Sequence, residues 1–229
     1  MLVWVASFPR SGNTFLRIVL HRRYGLRTST VYDVDGVARR VGPDLIGFTE
    51  RPDTIAGMRA DDAVHFVKTH RQRGADVDPA DPAICLVRDG RDALVSWARQ
   101  ATEDDPDRFT AELRTRITRT AGPGTGGWGT NVLSWRQPPA PHRVLLHYDE
   151  LVATPEAAAD RALAVVAPAL RPLPDARLPT FAELHAADGG FFRRGITGSH
   201  RDELPDDLHE LFWSQPGNAA AMALLGLPR

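Results

Sequence analysis

Val3–Arg17 reads VWVASFPRSGNTFLR, and this stretch decides the fold of the chain. Leu2–Ala6 is a short apolar run rich in β-branched and aromatic residues, which predicts a buried strand. Ser7–Asn13 is a turn of small and polar residues, and the apolar Leu16 and Val19 beyond it predict an amphipathic helix. A strand, a tight turn and a helix N-terminus aim backbone N–H groups and the helix dipole at one point. The stretch therefore indicates a site for a phosphate-like anion.

Two interpretations of this turn remain open from the stretch alone. In one, side-chain donors surround a bound phosphate, and they are Arg10, Ser11, Asn13 and Thr14. In the other, Ser11 or Asn13 only caps the helix. The turn is not the nucleotide-triphosphate loop G-x-x-x-x-G-K-[ST], because Gly12 is its one glycine and no lysine follows it. The rest of the chain has to decide between the two.

Composition is that of an ordinary soluble globular protein. The 229 residues carry a net charge of −1 and are 25% charged, so neither nucleic acid nor an anionic membrane is expected as a partner. We expect one domain over residues 1–229. The single cysteine, Cys85, excludes an internal disulfide, and the eight histidines lack metal-site spacing, so no metal is predicted. No apolar run is long enough to span a bilayer, and Leu2 already begins a strand, so a cytoplasmic location is expected.

The order of predicted elements indicates an α/β fold with a mostly parallel central sheet flanked by helices. Further strands are predicted at Val64–Lys68, Ala83–Val87 and Arg143–His147. Helices are predicted at Asp89–Ala101, Asp107–Thr120 and Asn131–Arg136, after Pro155, and twice from Pro205 onward. Residues 25–60 are predicted to be irregular with one short helix, and Gly122–Gly129 is a flexible candidate gate. Ligands of such sheets bind beyond the carboxyl ends of the strands.

The second predicted strand ends in Lys68-Thr69-His70. Alternate residues of a strand share a face, so Lys68 and His70 point the same way, ~7 Å apart. Lys68 is the single lysine among 28 basic residues, and a compact ammonium beside a titratable imidazole suits an acid/base pair. A solvated strand end is the alternative from this segment alone.

Two further segments carry cations for a second anion. The third strand ends in Arg88, and Ser96 follows about two helical turns later on the adjoining helix. Near the C-terminus, Phe191–Gly198 reads FFRRGITG and places two arginines before two glycines, which let backbone approach a ligand closely. Surface ion pairs and a solvated basic loop are the alternatives.

In order and spacing, these segments resemble the sulfotransferases that use 3′-phosphoadenosine 5′-phosphosulfate (PAPS). SFPRSGNTF resembles the phosphosulfate-binding loop usually written YPKSGTTW, VKTH the K-T-H catalytic strand, and LVRDGRDALVSW the 3′-phosphate motif. LLHYDELVATPE resembles the Y-E-D-L segment, and FFRRGITG the R-K-G-x-x-G loop. Five motifs in the family's order cover about residues 2–200. The resemblance implies a sulfotransferase domain with a P-loop-like strand-loop-helix.

The resemblance also implies roles for individual residues. His70 is the general base for the acceptor, Lys68 contacts the transferring sulfuryl group or bridging oxygen, and Arg10 stabilises charge on the leaving phosphate. The 5′-phosphosulfate is held by Arg10, Ser11, Gly12, Asn13 and Thr14, adenine by Phe15 and Tyr148, and the 3′-phosphate by Arg88, Ser96, Arg193, Arg194 and Gly195. PAPS leaves as adenosine 3′,5′-bisphosphate, and no metal is required.

The chain departs from the family pattern at three places: Arg10 replaces a lysine, Phe15 a tryptophan, and Ser199-His200 the pair Asp-Trp. The family's dimer segment is not recognisable at Arg201–Glu210, so no oligomeric state is predicted.

We expect a small-molecule acceptor, such as a specialised metabolite, with a hydroxyl or amine. A carbohydrate or glycolipid acceptor is the alternative. An ATP-dependent phosphotransferase is less favoured because G-K-[ST] is missing, and a non-catalytic nucleotide-binding module because Lys68 and His70 are both present.

Overall fold

The computed structural model describes residues 1–119, 124–193 and 195–229. Its centre is a five-stranded sheet in the order β2-β3-β1-β4-β5, and every neighbouring pair is parallel. The strands are β1 (Leu2–Ser7), β2 (Thr28–Thr30), β3 (His65–Thr69), β4 (Ala83–Val87) and β5 (Arg143–His147). The predicted α/β fold with a parallel central sheet is confirmed.

Helices flank the sheet on both faces. In the first half of the described chain they are α1 (Asn13–Tyr24), α2 (Gly36–Val41), α3 (Ile55–Ala60), α4 (Gly90–Thr102), α5 (Pro106–Thr118) and α6 (Trp128–Arg136). The later ones are α7 (Tyr148–Ala153), α8 (Pro155–Val166), α9 (Phe181–Ala187), α10 (His200–Glu203), α11 (Asp206–Ser214) and α12 (Pro216–Leu224).

Alternate residues of β1 enter two separate cores, because successive side chains of a strand point to opposite faces. Val3 and Val5 pack with apolar residues of α1 and α8 on one face. Trp4 and Ala6 pack on the other face with Met58 of α3 and residues of α6. Burial on both faces explains why β1 reads as a continuous apolar run.

Residues 25–60 differ from the prediction of irregular structure with one short helix. They contain the edge strand β2 and two helices, α2 and α3. β2 consists of the sequence Thr-Ser-Thr, which is too short and too polar to show an apolar pattern. Its side chains are nevertheless buried, and the Thr28 hydroxyl accepts a hydrogen bond of 2.6 Å from Arg17 Nε.

Three other helices were missing from the prediction, and α10 is one of them. α7 follows β5 directly, and α9 interrupts the proline-rich link with a capping box between Thr180 and Glu183. The predicted Thr154 cap of α8 has the right place, but its side chain makes no capping hydrogen bond. Asp89 caps α4 as predicted, accepting from the Arg91 N–H.

Part of the candidate gate Gly122–Gly129 lies outside the described residues, namely 122–123. The described part contacts the end of β3, because the Gly124 carbonyl accepts from the Gln72 N–H over 2.8 Å. None of the helices in the described ranges has the length and apolar character needed to cross a membrane.

Candidate active site

A cavity of about 740 Å³ lies beyond the carboxyl ends of β1, β3 and β4. It brings together most of the predicted site residues: Arg10, Gly12, Asn13, Thr14, Phe15, Lys68, His70, Arg88, Ser96, Tyr148, Arg193 and Gly195. Ser11 is buried behind this lining, and Arg194 lies outside the described residues.

The cavity is strongly cationic. Its described lining contains five arginine or lysine side chains and no carboxylate. Walls of one charge sign concentrate counter-ions in a cleft, so this cavity suits an anionic ligand. Within the described ranges, no three His, Cys, Asp or Glu side chains come together as a metal site.

The turn after β1 presents an uncapped helix N-terminus to this cavity. α1 begins at Asn13 with Gly12 as its N-cap residue, and no side chain among the described residues caps it. Arg10 and Gly12 have positive φ angles of 63° and 95°, which reverse the chain sharply into the helix. The first N–H groups of α1 are therefore free for an anion. This geometry favours the anion-site interpretation over the helix-cap interpretation.

Two side chains of the predicted phosphate site, Ser11 and Asn13, are buried in the protein. Asn13 Nδ2 donates to the Val5 carbonyl over 3.2 Å and to the Ser7 hydroxyl over 3.1 Å, so its amide supports β1. Ser11 is 1% exposed, and its hydroxyl has no hydrogen-bond partner among the described residues. Of this pair, the Asn13 backbone N–H would be the one to contact an anion directly, because the Ser11 N–H donates to the Phe8 carbonyl over 3.3 Å.

His70 is held as a neutral imidazole. Its Nδ1 lies 2.9 Å from the Ser7 carbonyl, and a carbonyl can only accept, so Nδ1 carries the proton and Nε2 keeps a lone pair. Burial and the neighbouring Lys68 charge lower the pKa of His70 well below its ordinary value. The Tyr32 hydroxyl accepts from the His70 N–H, and the Asn131 amide donates to its carbonyl, both over 2.9 Å.

Lys68 is buried beside His70 at the end of β3. Its ammonium lies 5.2 Å from the centroid of the Tyr32 ring and 3.9 Å from a carboxylate oxygen of Asp35. Burial lowers the pKa of Lys68 to about 8, although the Asp35 charge acts in the opposite direction. Lys68 and His70 both line the cavity, as predicted, and they are close enough for the Lys68 charge to act on His70.

Arg10 contacts Ser96 and Arg88, the residues that were predicted to bind the second anion. Its Nε donates to the Ser96 hydroxyl over 3.1 Å, and its Nη2 to the Phe191 carbonyl over 2.9 Å. Burial, followed by the Arg88 charge, lowers the pKa of Arg10 to about 10. The sequence had grouped Arg10 with the first anion and Ser96 with the second, and the structure joins these two residues.

Arg88 connects the same cluster to the C-terminal loop. Its Nη1 donates to the Arg10 carbonyl over 3.1 Å, and its Nη2 to the Ile196 carbonyl over 2.9 Å. Its guanidinium also lies 4.4 Å from the centroid of the Tyr148 ring. Two neighbouring guanidiniums and a hydroxyl form a site for a second anion.

Aromatic residues also line the cavity. Phe15 and Tyr148 line the cavity as predicted. Phe181 at the start of α9 also lines it and is 45% exposed, and the sequence analysis had missed it. A Cβ at Gly195 would overlap the Phe181 ring, so the glycine permits the loop to pack there. The Thr180–Glu183 capping-box pattern is the sequence signal that could have revealed this helix and its aromatic residue.

Asp92 is the second residue that the sequence analysis did not select. Its carboxylate accepts from the Gly198 N–H over 2.7 Å and from the N–H and Nδ1 of His200. Burial acts to raise its pKa, but the His200 hydrogen bonds and the Arg88 charge outweigh it and lower the pKa of Asp92 to about 2. Ser199-His200, where the chain departs from the family pattern, therefore holds the loop against α4.

The chain has curated relatives of greater length. No protein-family model matches it. The WSCD family member GA21586 of Drosophila pseudoobscura pseudoobscura is 30% identical over 157 residues, covering 66% of this chain and 46% of that protein. The WSCD family member CG9164 of Drosophila melanogaster is 29% identical over 156 residues, 66% of this chain and 45% of that protein. The chain spans about half the length of the curated relatives it matches.

Solved structures of sulfotransferases share its fold. Mouse sulfotransferase SULT7A1 complexed with PAP matches with a TM-score of 0.66 and 16% identity, over 98% of this chain and 88% of that one. Retinol dehydratase in complex with androsterone and the inactive cofactor PAP matches with a TM-score of 0.62 and 17% identity, over 96% and 80%. The five-stranded parallel sheet and its flanking helices are the sulfotransferase fold.

Proposed function

We propose that the protein transfers a sulfuryl group from PAPS to a hydroxyl or amine of a small-molecule acceptor. The observation that carries this proposal is a cavity with an anion site at each end. One end has the uncapped N-terminus of α1 with Lys68, and the other has Arg10, Arg88 and Ser96. A nucleoside bearing phosphate groups on both its 3′ and 5′ positions would present one anion to each of two such sites. PAP is the compound in the two solved structures of this fold named above.

The residues present fit such a donor. The 5′-phosphosulfate would be held by the backbone of Gly12, Asn13 and Thr14 and by Lys68, the 3′-phosphate by Arg10, Arg88, Ser96, Arg193, Arg194 and Gly195, and adenine by Phe15, Tyr148 and Phe181. The absence of carboxylates from the described cavity lining supports this assignment. Arg88 Nε, buried without a partner among the described residues, is a donor left for a phosphate oxygen.

The arrangement of His70 and Lys68 supports a direct displacement. The acceptor oxygen or nitrogen attacks sulfur in line, and the bond from sulfur to the 5′-phosphate oxygen breaks. His70 accepts the acceptor's proton at Nε2, which the Ser7 carbonyl leaves unprotonated. Lys68 stabilises the negative charge that develops on the departing phosphate oxygen. The reaction ends with adenosine 3′,5′-bisphosphate and a sulfated acceptor.

A small acceptor is favoured by a protein of the same fold. Retinol dehydratase was solved with androsterone, a small molecule, in addition to PAP. We extend only the acceptor's size class to this chain, with a hydroxyl or amine as the attacking group.

Thermal unfolding with nucleotides tests the donor assignment. Adenosine 3′,5′-bisphosphate should raise the melting temperature more than AMP or ATP, because binding to the folded state stabilises it. Arg88→Ala should abolish the difference between the bisphosphate and AMP. Arg161→Ala is the matched control, because Arg161 pairs with Glu150 outside the cavity lining. Equal stabilisation of the parent by all three nucleotides would overturn the assignment.

Mass spectrometry of reactions with PAPS and pooled hydroxyl or amine acceptors tests the transfer itself. The parent should produce adenosine 3′,5′-bisphosphate and an acceptor that has gained one SO₃ group. His70→Ala should remove the product while leaving bisphosphate binding nearly unchanged, because the base acts on the acceptor. ATP-dependent phosphorylation of an acceptor in place of sulfation would reassign the enzyme to phosphoryl transfer.

A further inference from the structure

A buried ionic group lies directly behind Lys68. Asp35 Oδ2 is 2.7 Å from Arg17 Nη1 and 3.9 Å from Lys68 Nζ. The side chains of Arg17 and Asp35 are both 0% exposed. Removing two charges from water is costly unless each is compensated, so their presence beside Lys68 requires an explanation.

Three separate elements assemble this group. Arg17 comes from α1, and Lys68 comes from β3. Asp35 is the N-cap residue of α2, where its Oδ1 accepts from the Val37 and Ala38 N–H groups over 3.0 Å each. One carboxylate oxygen thus caps a helix, and the other faces two cations.

Asp35 is the negative partner of Lys68 in this group. The other groups that face Lys68 are the Arg17 guanidinium, the Tyr32 ring and His70. Arg17 repels the ammonium, and neither Tyr32 nor neutral His70 carries a compensating charge. Burial acts to raise the pKa of Asp35, but Arg17 and Lys68 outweigh it and lower that pKa. The carboxylate is therefore ionised at neutral pH and through the range in which Lys68 titrates.

We infer that Asp35 is a positioning residue for sulfuryl transfer: its carboxylate holds Lys68 protonated and in place beside His70, while Arg17 fixes the carboxylate. This inference rests on the role given to Lys68 in the proposed function. It gives Asp35, in the segment 25–60 that was predicted to be irregular with one short helix, a part in supporting Lys68 and His70.

A purely structural role for Asp35 as the cap of α2 makes a different prediction. Asparagine is as good an N-cap as aspartate, and Asp35→Asn keeps both the shape and the capping oxygen. It removes the negative charge and replaces Oδ2, which accepts from Arg17, by an NH₂ group that cannot accept. Under the structural role the Lys68 titration is unchanged, whereas under our inference its pKa falls.

The single lysine of the chain allows a direct measurement. Protein made with ¹³C-labelled lysine has one lysine side-chain signal, because Lys68 is the only lysine. In the parent its titration midpoint should lie near 8. In Asp35→Asn it should fall by about one pH unit or more, the usual effect of losing an opposite charge at this distance.

Two further variants keep the test decisive. Arg17→Gln combined with Asp35→Asn removes the buried guanidinium that Asp35→Asn alone leaves without its carboxylate partner, and it serves if the single variant does not fold. Its Lys68 midpoint should lie between those of the parent and Asp35→Asn, because Arg17 repulsion is also gone. Asp81→Asn is the matched control, since Asp81 is a buried carboxylate paired with Arg59 before the amino end of β4. It should leave the Lys68 midpoint unchanged.

Kinetics then connect the charge to the reaction. With PAPS and an acceptor, Asp35→Asn should lose turnover by about tenfold at pH 8 and recover much of it at pH 6, with little change in donor KM. An unchanged Lys68 midpoint in both Asp35 variants overturns the inference. If the Lys68 midpoint shifts in Asp35→Asn but the parent protein transfers no sulfuryl group, the proposed function is rejected and the charge relationship stands. The two outcomes are distinguishable because the titration does not depend on activity.

Discussion

His200 is hydrogen-bonded twice to Asp92, through its backbone N–H over 2.9 Å and through Nδ1 over 2.8 Å. The pair joins the loop that carries Arg193 and Gly195 to α4, which carries Ser96. The second anion site therefore depends on a contact between residues 108 positions apart in the chain.

Replacement of Asp92 should destabilise the protein in a pH-dependent way. Its pKa falls from 3.8 to about 2 on folding, so the carboxylate stabilises the fold above pH 4 and loses that effect as the pH falls toward 2. Asp92→Asn should cost on the order of 2 kcal/mol at neutral pH. Urea unfolding at pH 7 and pH 3 measures the difference, which should shrink in acid. Asp207→Asn, at an exposed pair with Arg114, is the control, and an Asp92→Asn effect equal at both pH values would contradict the linkage.

Lys68→Arg tests whether a compact ammonium is required. The guanidinium keeps the charge but is larger and planar. The variant should fold and bind adenosine 3′,5′-bisphosphate with little change, yet lose turnover on the order of 10²-fold, the scale for one transition-state donor. Single-turnover measurements with PAPS decide this, and a rate within a few-fold of the parent would reject the role of Lys68.

The pH dependence of turnover should reflect Lys68 at its alkaline limb. The lowered pKa of His70 keeps the base neutral through the neutral range. The pKa of Lys68 is lowered to about 8, so the ammonium loses its proton above this pH. The turnover rate should fall with it, because the neutral amine cannot stabilise the leaving phosphate. Turnover should be level at neutral pH and fall above about 8. A profile that keeps rising beyond pH 9 would show that the active form of Lys68 is not the ammonium.

Gly12→Ala should disrupt the anion site by overlap and by backbone strain. Gly12 has a φ of 95°, and a Cβ there would lie 2.6 Å from the Tyr148 ring. Gly42 has a φ of 91° with no atom within 4 Å of its Cβ position, so Gly42→Ala measures the strain alone. Gly12→Ala should be the more destabilised of the two and should lose bisphosphate binding, as followed by thermal unfolding with ligand. Equal behaviour of the two variants would mean that the close approach to Tyr148 is unimportant.

The strands with continuous apolar runs were predictable from the sequence. β4 was placed at its observed bounds because burial on both faces demands apolar residues throughout, and β5 was placed at its observed bounds from its apolar centre, Val144–Leu146. β2 was not predictable, since its Thr-Ser-Thr sequence is stabilised by pairing with β3 and by Arg17, not by an apolar pattern.

The same contrast holds within the site. Lys68, His70 and Arg88 were predicted to converge because the carboxyl ends of parallel strands meet at one edge of a sheet. Asp35 and Asp92 were not selected, because a lone carboxylate in a sequence does not reveal which distant cation or N–H it will contact. Arg10 was placed at the correct turn, but its hydrogen bond to Ser96 was not predicted. Arg10 has a positive φ angle, which no pattern in the sequence indicates for a residue other than glycine.

The strand order gives donor binding a consequence for folding. β1 lies between β3 and β4, so the Lys68–His70 pair and the Arg88–Ser96 pair belong to opposite flanks of the first strand. A partly folded chain in which β1 has paired with only one of β3 and β4 would have one of the two candidate anion sites. It could not bind both phosphate ends of a bisphosphorylated nucleoside. The proposed donor would contact residues on both sides of the central strand, and its presence should shift partly folded chains toward the complete sheet.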